Sequence, residues 1–259
     1  MNEDIVVEYH KLRPRQLLKR RDELAAAYLP LGILEWHGLH NPLGLDGIKS
    51  QALLCSLAKK VGGVVMPTVF WGDHRGAICE LVFDPSVSKW LPEGTGDHAT
   101  AIAREMGLAK EELQADAKRS ERNGGWKLWV GSVVHILFQV ESLGFRIIVP
   151  YAGHAPQRHP LQEAAERYRD EGGKSEVLIL ENQVEPKGED HAAHFETSLM
   201  MSLAPDLVKL DELTMGDEHI GVLGQDPLRY ATVEFGQRIV DGFERRLREM
   251  LAEAEKGNS

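Results

Sequence analysis

Short apolar runs alternate along this chain with longer segments in which apolar residues recur at helical spacing, and this alternation constrains the fold most. Residues 145–149 read FRIIV and residues 177–180 read VLIL, as expected for strands buried on both faces of a sheet. Helical spacing occurs over 126–140 and 161–170. Strands that alternate with helices predict a three-layer α/β/α fold with a mostly parallel central sheet.

The 259 residues are predicted to form one domain over 1–259. A stretch at about 85–123 carries polar helical pieces without a clear core pattern and is predicted to be an insertion or lid. Asp46 is predicted to be the N-cap of a helix that ends at Gly62. The other predicted elements are helices over 14–23 and 232–256 and strands over 27–34 and 64–69.

The composition limits which partners and which cellular compartment we expect for the protein. The chain has 40 acidic and 30 basic side chains, a net charge of -10, so we expect no nucleic-acid partner, since phosphate binding needs basic surface. No apolar run approaches the length that spans a bilayer, and charges occur throughout the first 30 residues. We therefore expect no membrane partner, no signal peptide and a cytoplasmic location. Two cysteines without a CxxC pair indicate neither a zinc ribbon nor a disulfide framework.

Acidic and histidine residues collect in the loops that follow predicted strands. In the first such loop Glu35 and His37 are two residues apart, a spacing that directs both side chains to one side of an extended chain. Asp46 opens the following helix, and the glycines and proline in between allow the chain to return. Mixed nitrogen and oxygen donors suit zinc or manganese. On spacing alone, an ordinary loop end and helix cap is an equally good interpretation.

Two later loops supply further candidate ligands. His154 follows the strand over 145–149, and residues 190–198, DHAAHFETS, place two histidines and two carboxylates at the start of a helix. Loops at the carboxyl ends of parallel strands carry the site in open sheets, so these side chains are expected to meet. Taken alone, His154 would usually be structural, and 190–198 would suit a solvated helix start, where acidic side chains are favoured.

Together these segments resemble the creatininase family, also called the creatinine amidohydrolases. The family's first signature, Glu-x-His-Gly-x-His-x-Pro-x-x-x-Asp, is matched over 35–46. The second is an apolar strand followed by Asn-Gly-His-Gly-Gly-Asn, and Gly153 and His154 match it. The third, His-Ala-Gly-x-x-Glu-Thr-Ser, is matched in part over 191–198, and a weaker Gly-x-Asp-Pro motif is matched over 224–227.

The resemblance implies a hydrolase with two divalent metal ions per chain, zinc and/or manganese, with iron as a further option. Glu35 and His154 would bind one ion, His37 and Glu196 the other, and Asp46 would bridge them. A hydroxide between the ions would cleave the C–N amide bond of a small molecule such as a cyclic amide, lactam or formamide. The resemblance also implies a homo-oligomer, with a hexamer as the expected form.

Catalytic residues are implied in the same way. His191 stands at the first position of the third signature and is the predicted acid/base, with Asp190 to orient it and His194 as the alternative acid/base. Other residues are predicted to contact the metal ligands or the substrate: His40, Trp36, Gln157 and His194.

The chain departs from the signatures near the predicted metals. Residues 155–157 read Ala-Pro-Gln in place of Gly-Gly-Asn, and Ala193 and His194 replace Gly-Glu. No proposed ligand is lost, but the wall of the site changes, so the substrate does not transfer from the family. The alternative is a non-catalytic scaffold or peptide-maturation factor of this fold that retains a metal site. A dinucleotide-binding enzyme is disfavoured, because no GxGxxG follows the first strand.

Overall fold

The computed structural model of the protein describes residues 5–72, 96–182 and 184–257. Its sheet has the strand order β2-β1-β3-β4, and every neighbouring pair is parallel. The central pair runs in register from Ala26 opposite Ile147 to Leu31 opposite Ala152. The strands are β1 (Ala26–Leu31), β2 (Val64–Val65), β3 (Ile147–Ala152) and β4 (Glu176–Val177).

Helices precede, connect and follow these strands. Short 3₁₀ turns are found at Tyr9–Lys11, Ala155–Gln157, Pro205–Leu207 and Leu210–Glu212. The α-helices of the described residues are α1 (Pro14–Glu23), α2 (Leu45–Val61), α3 (His98–Glu105), α4 (Lys110–Arg122), α5 (Trp126–Ser142), α6 (Arg158–Asp170), α7 (His194–Leu203), α8 (Pro227–Tyr230) and α9 (Val233–Gly257). None of them combines the length and the apolar character needed to span a bilayer.

Two apolar cores lie on opposite faces of the sheet, because successive side chains of a strand point to opposite faces. Tyr28 of β1 and Tyr151 of β3 pack on the face covered by α2, α7 and α9. Leu29 and Ala152, their neighbours along the strands, pack on the face covered by α5 and α6. Helices on both faces of a parallel sheet confirm the predicted three-layer α/β/α class.

The last helix shows how the sequence pattern produces this packing. Buried apolar residues recur along α9 three or four positions apart, which places them on one face of the helix. That face lies against the sheet and α7, and Phe243 meets Tyr151 edge to face with ring centroids 5.4 Å apart. The buried apolar positions are Ile239, Val240, Phe243, Leu247, Met250, Leu251 and Ala254.

Two outer strands are shorter than predicted. Of 64–69, only Val64–Val65 forms a regular strand, and Val69 makes an isolated bridge to Leu31. Pro30 of β1 accepts from Val69 through its carbonyl but has no N–H to donate in return. Regular pairing of β4 ends at Val177 for a related reason: Pro150 of β3 has no N–H to donate to this strand. Leu180 still donates its own N–H to the Pro150 carbonyl.

The predicted N-cap at Asp46 is wrong. Helix α2 begins at Leu45 and Gly44 is its N-cap, so Asp46 lies inside the first turn. Its carboxylate is directed to two histidine side chains instead of the amides of its own helix.

Residues 73–95 lie outside the described residues, so the predicted insertion at 85–123 is described only from 96 onward. That part forms α3 and α4. Ala99 and Ile102 of α3 pack on Trp36, which places this helix beside the loop that follows β1. The single domain over 1–259 stays a prediction.

Candidate metal centre

Three stretches of chain meet at the carboxyl edge of the sheet. Residues 32–44 follow β1, His154 follows β3, and residues 190–193 precede α7. In the first loop the Glu35 amide donates to the Leu43 carbonyl at 2.8 Å, which closes the loop. The carboxyl edge of a parallel sheet is where the sequence predicted the site.

The five predicted metal ligands are brought together there. Candidate donor atoms form three groups in which all atoms lie within 4.8 Å of one another. The groups are Glu35–His37–His191, Glu35–Asp46–His154 and His37–Asp46–Glu196. Together they contain six side chains, which we call the candidate centre.

Asp46 divides its two carboxylate oxygens between two histidines. Oδ1 lies 3.4 Å from His37 Nε2, and Oδ2 lies 3.4 Å from His154 Nδ1. A carboxylate that faces two ligand groups with different oxygens has the geometry expected of a bridge between two cations.

Each histidine also faces a glutamate. His154 Nδ1 lies 3.0 Å from Glu35 Oε2, and His37 Nε2 lies 3.8 Å from Glu196 Oε2. The other nitrogen of His37, Nδ1, lies 3.0 Å from the Glu35 carbonyl oxygen, so Nδ1 carries the proton. Nε2 is therefore the nitrogen directed at the carboxylates, as a metal-binding imidazole requires.

Burial and opposite charges act against each other on these groups. Burial alone would raise the pKa of Glu35, but the imidazoles of His154 and His191 outweigh it and hold the pKa below its usual value. Burial alone would lower the pKa of His37, but Asp46 and Glu196 raise it to about 9. The centre as a whole thus favours positive charge, which a divalent cation supplies by replacing a bound proton.

The donor set fits divalent metal ions. Donor atoms that share a tetrahedral zinc at about 2.1 Å lie about 3.4 Å apart. The separations of 3.4 and 3.8 Å around His37 Nε2 are close to that value and longer than hydrogen bonds. Carboxylates so deeply buried are costly unless cations neutralise them.

Lys49 was missed in the sequence. Its side chain is 2% exposed and its ammonium group donates to Glu196 Oε1 at 2.5 Å and to the Gly153 carbonyl at 2.9 Å. Burial would lower its pKa, but Glu196 and Asp46 raise the pKa above its usual value. The available signal was its position three residues after Asp46, which puts both on one side of α2.

His191 belongs to the candidate centre through its group with Glu35 and His37. Its Nε2 donates to the Trp36 carbonyl at 2.9 Å, and its Nδ1 is 3.9 Å from Glu35 Oε2. Its ring is tilted on that of His37 with centroids 4.5 Å apart. Burial lowers the pKa of His191, so the neutral imidazole is favoured.

Asp190 holds the start of α7. Its carboxylate accepts from the amides of Phe195 at 2.6 Å and Glu196 at 3.1 Å. Burial and the nearby Glu196 carboxylate raise the pKa of Asp190 to about 7. The structure thus gives Asp190 a helix-capping contact, and the contact that orients the His191 ring comes from the Trp36 carbonyl.

The remaining predicted residues surround the candidate centre. His40 Nε2 lies 3.0 Å from Thr197 Oγ1, which ties the first loop to α7. Trp36 donates from its indole to the Ile220 carbonyl at 2.9 Å, and Gln157 is buried near the Gly32 carbonyl. The ring of His194 packs on Phe235 at 4.2 Å. Of the two histidines considered as acid/base, only His191 joins a donor group among the described residues.

A cavity of about 670 Å³ opens onto the candidate centre. Its volume suits a small molecule. Residues outside the donor set contribute to its wall, among them Pro156, Glu189, Asp190 and Leu223.

The fold and the candidate centre define the class: an α/β/α protein with a buried carboxylate–histidine centre at the carboxyl edge of a parallel sheet. A family model described as "Creatininase: Creatinine amidohydrolase" matches residues 129–251. The match covers slightly less than half of the chain, which is thus similar to the creatininase family. Glu35, His37 and Asp46 precede the matched residues, so their place in the candidate centre rests on the geometry.

Individual proteins show the same similarity. A protein named creatinine amidohydrolase from Pseudomonas putida is 26% identical over 194 residues. The aligned part is 71% of this chain and 66% of that protein, so this chain spans slightly less than two thirds of its length. A mutant creatininase of Zn-Zn type has a TM-score of 0.61 and 21% identity over 97% of this chain and 99% of that chain. A structure named "Creatininase Mn" has a TM-score of 0.60 and 21% identity, over 96% of this chain and 99% of that chain.

Proposed function

We propose that this protein is a metal-dependent amidohydrolase that cleaves the C–N amide bond of a small molecule, such as a cyclic amide, lactam or formamide. The observation that carries the proposal is the convergence of three carboxylates and three histidines from separate stretches of chain onto one buried centre. The names of the similar proteins support amide hydrolysis as the reaction class.

Two divalent cations per chain are proposed as the cofactor. Glu35, Asp46 and His154 would hold one, and His37, Asp46 and Glu196 the other. Zinc and manganese are favoured because the similar structures carry those metals in their names, and iron is the remaining option. When bound, such a pair supplies Lewis-acid activation of a water and of the amide carbonyl.

His191 is proposed to move the proton that hydrolysis requires. The attacking water loses a proton as its oxygen bonds to the amide carbon, and the leaving nitrogen gains one as the C–N bond breaks. His191 donates Nε2–H to the Trp36 carbonyl, which leaves the lone pair of Nδ1 on the side of Glu35. A neutral imidazole in this orientation accepts the proton at Nδ1 and returns it to the leaving nitrogen.

Other residues of the site position the ligands. Asp190 caps α7 and thereby fixes the segment that carries Glu196. Trp36 fixes His191 through its carbonyl while its own indole is held by the Ile220 carbonyl. We further propose that the protein acts in the cytoplasm as a homo-oligomer, with a hexamer as the expected form, on a small molecule and without nucleic-acid or membrane partners.

Metal analysis combined with an activity screen tests the proposal. We expect two ions per chain after purification in manganese or zinc, and turnover of at least one member of a panel of cyclic amides, lactams and formamides. Asp46→Asn should lower both the metal content and the turnover, whereas Asp241→Asn on the surface of α9 should change neither. Protein that binds no ion in excess metal would favour the non-catalytic scaffold.

A further inference from the structure

A buried histidine joins helix α3 to the chain segment beside His191. His98, the first residue of α3, is 5% exposed. Its Nδ1 accepts a hydrogen bond from the Gly221 amide at 3.1 Å, and its Nε2 lies 3.0 Å from Glu218 Oε1. Because Nδ1 is the acceptor, the proton of the neutral ring is on Nε2. His98 thus fixes residues 218–223, which we call the wall segment.

The wall segment holds the backbone of His191. The His191 amide donates to the Leu223 carbonyl at 3.0 Å, and the Leu223 amide donates to the His191 carbonyl at 2.9 Å. The two residues therefore form an antiparallel bridge, and Leu223 also contributes to the wall of the cavity. The backbone of His191 cannot shift without the wall segment.

The wall segment also holds the loop that orients the His191 ring. Trp36, whose carbonyl accepts from His191 Nε2, donates from its own indole to the Ile220 carbonyl at 2.9 Å. Gly221 lies directly against that indole, since a methyl group on Gly221 would be 2.6 Å from Trp36 Cδ1. In such close packing a displacement of Gly221 is transmitted to Trp36.

We propose that His98 is a positioning residue, which by fixing the Gly221 amide holds both the backbone and the ring of His191 in place for proton transfer. Without this acceptor the Gly221 amide would be a buried donor with no partner, and the wall segment would move to satisfy it. Misplacing a reacting group by about 1 Å can cost about 10²-fold in rate. The inference gives α3 a part in the reaction, and it rests on the proposed acid/base role of His191.

Substitutions of His98 separate the roles of its two nitrogens. Asparagine places Oδ1 as far from Cβ as the imidazole Nδ1, so His98→Asn keeps an acceptor for the Gly221 amide. Glutamine places its Nε2 as far from Cβ as the imidazole Nε2, so His98→Gln keeps only the donor to Glu218. His98→Leu removes both nitrogens. Glu218→Gln, which leaves the contact of Nδ1 intact, is the matched control.

Proton exchange at the His191 ring tests the inference without measuring activity. The full chain carries ¹⁵N-labelled histidine and excess Zn²⁺, and the Nε2–H signal of His191 is assigned by its absence from His191→Asn. We expect a protected proton in the wild type, His98→Asn and Glu218→Gln. Exchange should be about tenfold or more faster in His98→Gln and His98→Leu. Melting curves establish that each variant is folded, and His98→Leu decides the question if His98→Gln does not fold.

Steady-state kinetics with Zn²⁺ supply the second measurement, on a panel amide that the wild type hydrolyses. His98→Gln and His98→Leu should lower kcat by about tenfold or more and change KM by less than about twofold. The reason is that a misplaced proton carrier slows the chemical step and leaves substrate binding intact. His98→Asn should recover most of the wild-type kcat.

Wild-type exchange and wild-type kcat in both His98→Gln and His98→Leu would overturn the inference. Equal losses in His98→Asn and His98→Gln would overturn it as well, because the ring would then serve only to pack α3. Neither result touches the proposed amide hydrolysis. If no panel amide is hydrolysed, the proposed function fails, and the exchange rates still decide whether His98 holds His191.

Discussion

Asp46 and His191 show how single side chains define this site. Asp46 presents a different oxygen to each of two histidines, so one carboxylate belongs to both proposed metal positions. His191 is held by a backbone carbonyl, so its ring orientation depends on the Trp36 loop. The protonation of each therefore follows from its surroundings.

Replacement of His191 by asparagine should slow hydrolysis by about 10²- to 10⁴-fold, because the group that transfers the proton is lost. Its metal content should stay that of the wild type, since other side chains complete both proposed positions. Steady-state rates and metal analysis on the same sample measure the two effects. His135→Asn, an exposed histidine on α5, is the control. Full turnover in His191→Asn would exclude the acid/base role.

At the residue scale the sequence predicted which side chains meet in the candidate centre better than it predicted what surrounds them. Glu35, His37 and Asp46 were found from their spacing in a loop after a strand. Lys49 was not found, because a lysine in a helical pattern usually lies in solvent and only the packing of α2 against α7 buries it. The spacing to Asp46 places both residues on one side of α2, but it does not show that this side is buried against α7.

At the scale of elements, glycines let α2 approach the ends of the central strands. A methyl group on Gly153 would overlap the Asp46 carbonyl oxygen and lie 2.6 Å from Ser50 Oγ. The Ser50 hydroxyl lies within hydrogen-bonding distance of both the Asp46 and Leu31 carbonyls. The first turn of α2, which carries Asp46, is thus fixed against β1 and β3.

Gly153→Ala should therefore displace the start of α2 and destabilise the protein by about 1–3 kcal/mol. Metal content should fall in parallel, because Asp46 moves with its helix. Urea unfolding and metal analysis measure these changes. Gly131→Ala in α5 is the matched control, since the nearest atom to an added methyl group is 3.9 Å away. Wild-type metal content in a folded Gly153→Ala protein would contradict this account of α2.

Glu141 ties the end of α5 to the connection between α6 and β4. Its carboxylate accepts from the Tyr168 hydroxyl, from the Lys174 amide at 2.5 Å and from the Ser175 amide at 3.1 Å. The Tyr168 hydroxyl contributes most to holding the pKa of Glu141 below its usual value. The ionised carboxylate is therefore the form that stabilises the folded protein.

Glu141→Gln should lower the free energy of unfolding by about 1–2 kcal/mol at neutral pH. The carboxyl of Glu141 has a lower pKa in the folded state, so its contribution is complete above the unfolded value of about 4.3 and is lost as the pH falls through the folded value. The difference in the free energy of unfolding between wild type and variant should therefore become smaller as the pH falls. Urea unfolding at several pH values measures this difference. Glu166→Gln, exposed on α6, is the control. A difference that becomes larger as the pH falls would contradict a lowered folded-state pKa for Glu141.

Element boundaries were predictable where local pattern decides them. Helix α1 has the predicted bounds, because Pro14 can start a helix and the chain becomes extended at Leu24. The ends of β2 and β4 were not predicted, since they depend on which partner strand lacks an N–H. Asp46 was expected to cap α2 because acidic residues are common at helix starts. Its contacts with two histidines that are distant in the fold cannot be predicted from the helix sequence alone.

At the scale of the whole molecule, the candidate centre joins the loop after β1, the end of β3 and the start of α7. Cations bound there would link stretches of chain that are far apart in sequence. A ligand that binds only the folded state stabilises it by about 2.7 kcal/mol at a hundredfold excess over its dissociation constant. Metal should therefore act on the stability of the entire fold.

Removal of metal by a chelator should lower the melting temperature by at least about 5 °C, and added Mn²⁺ should restore it. Calorimetry on the full chain measures the shift. Asp46→Asn should respond much less to the chelator, because it lacks the carboxylate shared by both proposed positions. An identical melting temperature with and without chelator would show that metal does not stabilise the fold.

Anomalous X-ray scattering from crystals grown with zinc tests the central claim most directly. Data on the two sides of the zinc absorption edge locate the ions without reference to activity. We predict two peaks per chain, one among Glu35, Asp46 and His154 and the other among His37, Asp46 and Glu196. Crystals with no peak beside Asp46, or with zinc only at other sites on the protein, would contradict the account.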